Sequence, residues 1–445
     1  MKRMTSRRRI VVNFHIHRGK IYLLLFCLVL CLSGCRKSEP QQGTEPEKKE
    51  VIIWTWDETF NVKAAKLAAE EYTEQNGQIE IVVETKEREE ILSSIRNSLS
   101  AKAYDKLPDI IMLEDYDVQG MLLLYEEEFV NLASMAEYNK FSDYKTRLCT
   151  MNGNVYGIPF DSGAAALFYR IDLLEQAGFS EKDMQHLTWD RFIEIGTEVY
   201  EKTGYAMLTL DPSDFPVMRI IMQSSGRWYV TQDGSRADIA GNAALKSAFE
   251  IYKRLIETNV ARGMNGWNEF ISAFQNGEVV CVPSGSWIIS NIKESKEQEG
   301  YWRVAQIPVL AENQTAASNV GGSSWFVLKN SQNSEDAAKF LVEMFADNDA
   351  FIDTLITQTG VIPAVKNPSV YTNYEMGDMF FGGQKVTKYL TSITDEIPIV
   401  NYGNKTYEIE AIVEAEFQNV LIDGNIDLAL ERAQMKADAL VRESE

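Results

Sequence analysis

Two periods of hydrophobic positions alternate along the chain between residue 51 and about residue 125. VIIWTW at 51–56 is a run of β-branched and aromatic residues typical of a buried strand, and 59–76 carries apolar side chains at helical spacing. The alternation continues with a strand at 79–84, a helix at 87–103, a strand in DIIML after Pro108 and a helix from about Tyr116. Elements of these lengths predict βαβ units, and therefore a mostly parallel sheet covered on both faces.

The pattern changes at residues 154–170, where Gly157, Pro159 and Gly163 interrupt an extended apolar stretch. We interpret this segment as a crossing between two domains. A largely helical, aromatic-rich region is predicted from 172 to about 299. Beyond it the sequence predicts strands at 302–309 and 323–328, a helix at 333–345 capped by Ser334 with Glu335 and Asp336 in its first turn, and a last helix at about 426–441.

The first 34 residues have the organisation of an export signal. Seven basic and no acidic side chains accompany an apolar run at 21–32, after which Ser33 and Gly34 precede Cys35. The run is about 12 residues long, whereas a helix needs roughly 20 to cross a bilayer. Because LSGC at 32–35 resembles a lipobox, we expect cleavage before Cys35 and a lipid on its thiol. A short anchor that is never cleaved is the alternative.

Residues 36–50 contain no aliphatic or aromatic side chain, so they are expected to form a disordered tether behind Cys35. About 395 residues remain beyond it, more than one hydrophobic core usually spans, and two domains are expected. The formal net charge is −21 for the whole chain and near −28 without the basic first 34 residues. Such a body repels nucleic acid and anionic lipid, which excludes both as partners of the folded part.

The chain beyond residue 35 is poor in the residues of familiar catalytic sites. His186 is its one histidine, and no zinc motif, nucleophile elbow, P-loop or dinucleotide-binding glycine pattern is present. We therefore expect no metal, no cofactor and no catalytic residue. Cys149 and Cys281 either pair as a disulfide or remain buried free thiols, and the lack of a cysteine framework favours free thiols.

Aromatic and acidic residues follow two of the predicted strands. Trp56 and Asp57 end the first strand, and Asp115 and Tyr116 follow the third. Ligands of open α/β sheets bind beyond the carboxyl ends of the strands. An aromatic ring covers the apolar face of a sugar, and a carboxylate accepts hydrogen bonds from its hydroxyls. The alternative is that Trp54 and Trp56 are core residues and that the acids cap helices.

Three further candidates lie later in the chain. Asp161, in the crossing segment, either contacts a ligand or caps a helix at 163–170. Trp287 follows a strand that ends in small residues, and it is either a platform for a ligand or half-buried packing. Gly322 could bring a backbone N–H close to a ligand or be a flexible link. For Trp228, Trp267 and Trp325 the core interpretation is favoured.

Five segments, taken together and in order, resemble the extracellular solute-binding proteins of ABC importers, in particular the sugar-binding group that includes maltose-binding protein. The resemblance covers nearly the whole chain beyond the tether. Its segments are IIWTWDETF at 52–60, LPDIIMLEDYD at 107–117, NVYGIPFDSGAAALFYRIDLLEQAGF at 154–179, AFQNGEVVCVPSGSWIISNI at 273–292 and GGSSWFVLKNSQNSEDAAKFLVEMF at 321–345.

The resemblance implies an α/β fold of two lobes, each a sheet flanked by helices, joined by a hinge and closing on the ligand. The implied organisation is a signal peptide at 1–34, a lipidated tether at 35–50, one lobe at 51–160 plus about 314–360, and a second at 161–313 plus about 361–445. It also implies that the cleft is lined by Trp56, Asp57, Asp115, Tyr116, Asp161 and Trp287. A late aromatic residue of the family is expected at Tyr402 or Tyr407.

On this basis we expect a monomer, held by Cys35 at the extracytoplasmic face of the cell membrane, that binds a carbohydrate without chemistry and delivers it to ABC permease subunits. A binding protein for a peptide or polyamine and a secreted glycoside-acting enzyme using Asp57 and Asp161 are the alternatives. A sensor that presents a sugar to a receptor is a further one.

Overall fold

Two β-sheets of different kinds organise residues 48–442, the part of the chain that our computed structural model describes. The first sheet has five strands in the order β2-β1-β3-β12-β6, and the second has three in the order β10-β7-β11. Two pairs of short strands, β4 with β5 and β8 with β9, complete the set. The strands are β1 (Lys49–Thr55), β2 (Ile79–Thr85), β3 (Ile110–Glu114), β4 (Thr150–Met151), β5 (Asn154–Val155), β6 (Gly157–Asp161), β7 (Ala165–Arg170), β8 (Leu208–Leu210), β9 (Ala261–Gly263), β10 (Cys281–Gly285), β11 (Trp302–Ala305) and β12 (Ser323–Val327).

Helices cover the sheets and dominate the later part of the described chain. They are α1 (Asn61–Gln75), α2 (Arg88–Ala101), α3 (Asp115–Tyr125), α4 (Asp143–Leu148), α5 (Ile171–Gln176), α6 (Trp189–Thr203), α7 (Pro216–Ser224), α8 (Ala243–Glu257), α9 (Gly266–Gln275), α10 (Ile288–Ile292), α11 (Ser334–Leu341), α12 (Asp349–Thr359), α13 (Val386–Thr394), α14 (Thr406–Asp423) and α15 (Ile426–Arg442). A π-helical turn at Val342–Ala346 extends α11. No helix among residues 48–442 is long and apolar enough to cross a membrane.

The first sheet confirms the predicted βαβ units. β1 pairs in parallel with both β2 and β3, and the intervening helices α1 and α2 pack their apolar faces on the sheet. β12 runs antiparallel to β3 and β6 because the chain enters it from the opposite end of the sheet. The sheet is therefore mixed rather than simply parallel.

The second sheet corrects two expectations. Its central strand β7 is antiparallel to both neighbours, so the parallel arrangement does not extend to this sheet. Residues 165–170 form this strand, whereas we considered a helix at 163–170 that Asp161 would cap. All six side chains of β7 are buried. A central strand that is covered on both faces shows no alternation, and the alanines at its start then suggest a helix.

Separate hydrophobic cores surround the two sheets. One core contains β1, α1, α11 and α12 on one face of the five-stranded sheet and continues on its other face with α2 and α3. The other surrounds β7 and includes α6 to α8 and the C-terminal helices. We call these the first lobe and the second lobe. The domain boundaries expected from the sequence remain a prediction.

Three chain segments meet where the lobes join. The amide of Ser162 donates to the carbonyl of Ile362 at 2.8 Å, and the amide of Val320 donates to the carbonyl of Gly163 at 2.8 Å. A Cβ on Gly163 would lie 2.6 Å from Asn319 Oδ1 and 2.7 Å from the backbone of Gly321, so only glycine fits here. The segment 154–170 is thus hydrogen-bonded to two other segments, one at Val320 and one at Ile362.

The N-cap of the helix predicted at 333–345 lies one residue earlier than expected. Asn333 is its N-cap and Ser334 lies in the first turn, so Ser334 is not the cap; Glu335 and Asp336 occupy the first turn as predicted. Cys149 and Cys281 are both buried and free, which confirms the favoured interpretation. The export signal, Cys35 and the first part of the tether lie outside the described residues.

Helices α14 and α15 form a hairpin around the carboxylate of Glu416. Arg432 Nε donates to Oε2 at 2.7 Å, Lys436 Nζ to Oε1 at 2.6 Å and Asn419 Nδ2 to Oε2 at 3.0 Å. Burial alone would raise the pKa of Glu416, but these donors hold it at about 2. The hairpin is therefore held by a charged hydrogen-bond network that depends on pH.

Replacing this residue in a Glu416→Gln variant is expected to lower the free energy of unfolding at pH 7 by about 1–3 kcal/mol. Because the folded pKa lies below the roughly 4.3 of a free glutamate, the stabilisation is complete above that value and is lost as pH falls to about 2. Urea unfolding at pH 7 and pH 3 checks this, with the exposed Glu408→Gln on α14 as control. An equal loss at both pH values would contradict it.

Candidate functional site

The carboxyl ends of β1, β2 and β3 meet along one edge of the first sheet and bring charged side chains together. Thr85 Oγ1 donates to Glu58 Oε1 at 2.6 Å. Arg88 Nε lies 2.9 Å from Glu114 Oε2 in an ion pair. Side chains at such an edge converge because parallel strands end together. This edge faces the second lobe, because Tyr407 contacts it.

Glu114 is the polar centre of this edge, and a residue of the second lobe reaches it. Tyr407, in the first turn of α14, donates its hydroxyl to Glu114 Oε2 at 2.5 Å, and the Arg88 guanidinium lies 4.5 Å from the Tyr407 ring centre. Burial and the neighbouring Glu114 raise the pKa of Tyr407 well above its ordinary value. The hydroxyl therefore stays protonated and remains a donor, while Glu114 is about one-fifth exposed.

Trp287 and Glu114 both lie close to Gly321. Trp287 Nε1 donates to the carbonyl of Val320 at 2.8 Å, and the indole ring packs against the cores of both lobes. Gly321 has a φ of 76°, and a Cβ there would lie 3.0 Å from Trp287 Nε1 and 3.5 Å from Glu114 Oε1. The indole, a stretch of bare backbone and the carboxylate are therefore contiguous.

Trp267 continues this aromatic surface, contrary to the core interpretation that we favoured from the sequence. Its side chain is 51% exposed, and its ring centroid lies 5.6 Å from that of Trp287 with 34° between the planes. By contrast Trp228 and Trp325 are buried, as expected. Trp54 is also buried, with its Nε1 donating to Glu84.

Asp115 and Asp161 lie behind the cleft surface in a buried ionic network. Asp115 pairs with the fully buried Lys145 and accepts from Asn319 Nδ2 at 3.1 Å. Asp161 Oδ1 accepts from the amide and the hydroxyl of Ser323 at 2.7 and 2.6 Å. Burial raises the pKa of Asp115 to about 7, and it also raises the pKa of Asp161; the Lys145 charge opposes both shifts. The buried Lys145 ammonium is thus paired with Asp115 and acts on Asp161 through its charge alone.

Tyr116 and Tyr402 are also buried and hold the lobes together. The Tyr116 hydroxyl donates to the carbonyl of Asn319 at 2.8 Å, and its ring meets Tyr402 edge-on at 4.8 Å. Gln223 Nε2 donates to the Tyr402 hydroxyl at 2.9 Å, and the Tyr402 ring lies 4.7 Å from Trp228. Between the two tyrosines that the sequence offered, Tyr407 is the one placed at Glu114.

The three remaining candidate residues contact their own lobe or the buried layer, and they are Trp56, Asp57 and Gly322. Trp56 is half-buried and packs against both faces of the first-lobe sheet. Asp57 has a φ of 64° and its Oδ1 accepts from the amide and hydroxyl of Thr59 at 3.0 and 2.7 Å, which is an Asx turn before α1, whose N-cap is Phe60. Gly322 accepts from the Asp115 amide, and a Cβ on it would lie 2.8 Å from Asp115 Oδ2.

The structure therefore connects Trp287 with Glu114, Arg88, Tyr407 and Trp267 through neighbouring contacts. It places Asp115, Tyr116, Asp161, Gly322 and Tyr402 in the buried layer behind, and whether any of them contacts a ligand stays a prediction. Sequence reasoning missed Glu114, which is adjacent to the chosen Asp115, and Arg88, which begins a helix after β2. Within residues 48–442 no group of three or more acidic, cysteine or histidine side chains is placed to hold a metal.

Residues 67–376 match the family of bacterial extracellular solute-binding proteins. The chain belongs to this family. This solute-binding protein is 40% identical over 389 residues to the lactose-binding protein of Rhizobium radiobacter, a match that covers 87% of this chain and 92% of the relative. It is 24% identical over 355 residues to the maltodextrin-binding protein MdxE of Bacillus subtilis, covering 78% of this chain and 81% of the relative.

A solved structure shows the same fold. The acarbose-binding GacH receptor of Streptomyces glaucescens superposes with a TM-score of 0.75 at 17% identity, covering 89% of this chain and 99% of that one. The α/β fold of two lobes joined by a hinge, expected from the five sequence segments, is confirmed, and so is the family that they indicated.

Proposed function

We propose that this protein captures a small oligosaccharide in the cleft without chemistry and delivers it to the permease of an ABC importer. The observation that carries the proposal is the contiguous arrangement of Trp287, the Gly321 backbone and Glu114. An indole covers the apolar face of a pyranose, and a carboxylate accepts hydrogen bonds from adjacent hydroxyls. Arg88 and Tyr407 orient that carboxylate from two directions.

A lactose-like disaccharide is the proposed ligand. The support is the relationship to the lactose-binding protein, at 40% identity over nearly the full length of both chains. A second relative, MdxE of Bacillus subtilis, is named for a maltodextrin, which is also built from pyranose rings. Both therefore agree with the aromatic and acidic surface of the cleft.

Closure of the lobes is the proposed response to the sugar. Glu114 belongs to the first lobe and Trp267 to the second, so a ligand that reaches both side chains connects the two lobes. A ligand shifts a conformational equilibrium by its difference in affinity between the two states. Contacts that exist only when the lobes are close favour the closed form, which the permease would recognise.

Binding is preferred over glycoside hydrolysis because of where the carboxylates lie. Hydrolases place two carboxyl groups on either side of the scissile bond, with access to substrate or water. Asp161 is buried behind Ser323, and Asp57 is occupied by the turn that starts α1. The pair considered from the sequence is therefore engaged in structural hydrogen bonds.

Lipid attachment at Cys35 completes the proposal. A lipid would hold the protein beside its permease and raise its local concentration there. The support is the sequence LSGC at 32–35 after a basic and apolar leader. A monomer suits this role, because each protein delivers one ligand to one transporter.

A thermal-shift and calorimetry panel tests the proposed function. The purified protein is titrated with lactose, galactobiose, maltose, arabinobiose, a mixed peptide pool and spermidine. Lactose is expected to stabilise the fold most, by about 2.7 kcal/mol at a hundred times its Kd. Stabilisation by the peptide pool or spermidine but by no sugar would overturn the proposal, as would release of galactose and glucose from lactose during incubation.

A further inference from the structure

Trp267 is a large apolar side chain held at the surface by a specific local structure. It lies in the first turn of α9, directly after Gly266, which has a φ of 73°. The Gly266 amide donates to Asp211 Oδ2 at 2.5 Å, and Glu269 Oε2 accepts from the Asn265 amide at 2.8 Å. Two carboxylates therefore fix the backbone at this turn, although the indole itself is half exposed.

A chain of aromatic contacts connects Trp267 to the core of the second lobe. Its ring centroid lies 5.7 Å from that of Phe270, and Phe270 lies 5.5 Å from the buried Phe274. Phe274 in turn meets the fully buried Trp302 edge-on. The indole is thus supported from beneath and has a defined position, so its exposure is not that of a loose surface side chain.

The geometry with Trp287 has the dimensions of two sugar rings. The two indole centroids are 5.6 Å apart and their planes differ by 34°, which forms a stepped aromatic surface. This distance is about the spacing of neighbouring rings in a disaccharide. The Nε1 of Trp287 is the atom nearest to a Cβ built on Gly321, and Glu114 Oε1 is also close to that position, whereas Trp267 contacts the Trp287 ring.

We propose that Trp267 is the platform for the second ring of the sugar and sets the preference for a disaccharide over a monosaccharide. This inference rests on the proposed carbohydrate function, and it names the residue that determines the length of the sugar. The ring at Glu114 and Trp287 is shared by both ligand sizes, whereas only the longer ligand reaches Trp267. The exposed indole area is then covered only when a second ring is present.

A Trp267→Ala variant tests the inference by calorimetry with lactose and with methyl β-galactoside. The Kd for lactose is expected to rise about ten-fold, while that for the monosaccharide changes by less than about two-fold. Trp287→Ala is expected to weaken both ligands. Trp267→Phe, which keeps an aromatic face, should retain most of the lactose affinity. The thermal midpoint of each variant without ligand reports whether the fold is intact.

Three results would overturn the inference. Equal losses for both ligands would make Trp267 a general support of the site, and no loss for either would make it irrelevant to binding. Tighter monosaccharide binding by Trp267→Ala would show that Trp267 covers Trp287 instead of extending it. If the unaltered protein prefers another disaccharide, the comparison uses that sugar and its monosaccharide. If it binds no sugar at all, the proposed function fails as well, so the two failures are distinguishable.

Discussion

Replacing Lys145 with methionine is expected to lower the free energy of unfolding by about 3–5 kcal/mol at pH 7, the largest effect on stability that we predict. Lys145 is fully buried and is paired with Asp115, and its charge also acts on Asp161. A methionine of similar size leaves two buried carboxyl groups without their cation. Urea unfolding of the Lys145→Met variant measures the loss, and Lys329→Met, at an exposed ion pair, is the control.

The pH dependence of this defect follows from the carboxyl groups. Burial raises the pKa of Asp115 to about 7 in the folded protein, so the folded state holds a proton that the unfolded state releases near pH 4. The free energy of unfolding therefore falls as pH rises from about 4 to about 7. This fall is larger when Lys145 is absent. The loss in Lys145→Met should shrink between pH 7 and pH 4, and a second change, Asp115→Asn, should restore part of it at pH 7. A loss no larger than that of Lys329→Met would contradict the buried network.

Replacing Trp287 with alanine is expected to raise the Kd for the sugar by at least about thirty-fold, roughly 2 kcal/mol, while the protein remains folded. Trp287 contacts Trp267 and lies next to Gly321, which is also close to Glu114, so in the proposed site it is the ring that every ligand covers. Calorimetry with the best ligand of the panel measures the change. Trp287→Phe should recover much of the affinity because it keeps a flat apolar face.

The matched control for this variant is Trp302→Ala. Trp302 is fully buried in the second lobe, and its loss should cost about 3–5 kcal/mol of stability. Trp287 is only half-buried, so Trp287→Ala should cost clearly less. If the two variants lose equal stability and the Trp287 variant keeps its affinity, Trp287 is a core residue and not a platform.

Elements whose side-chain period is set locally could be predicted from the sequence. β1, α1, β2, α2 and β3 lie within a few residues of their predicted bounds, because alternating burial along a strand and along a helix leaves different spacings. Five ordered segments were also enough to indicate the family. The strand β7 was not predicted, because a strand that is buried on both faces shows no alternation of apolar and polar residues.

Which of the strand-end side chains are exposed could not be predicted, because it depends on residues that are distant in the sequence. Glu114 and Asp115 are neighbours and chemically alike, yet Glu114 is partly exposed and Asp115 is fully buried. The difference comes from Lys145 and Asn319, which reach Asp115 from 30 and 204 residues away. The exposure of Trp267 likewise depends on residues that are distant in the sequence. A tryptophan near the start of a helix has the same local pattern whether it faces the core or the surface. Burial of a side chain depends on which distant residues pack against it, and local spacing along the sequence does not predict those residues.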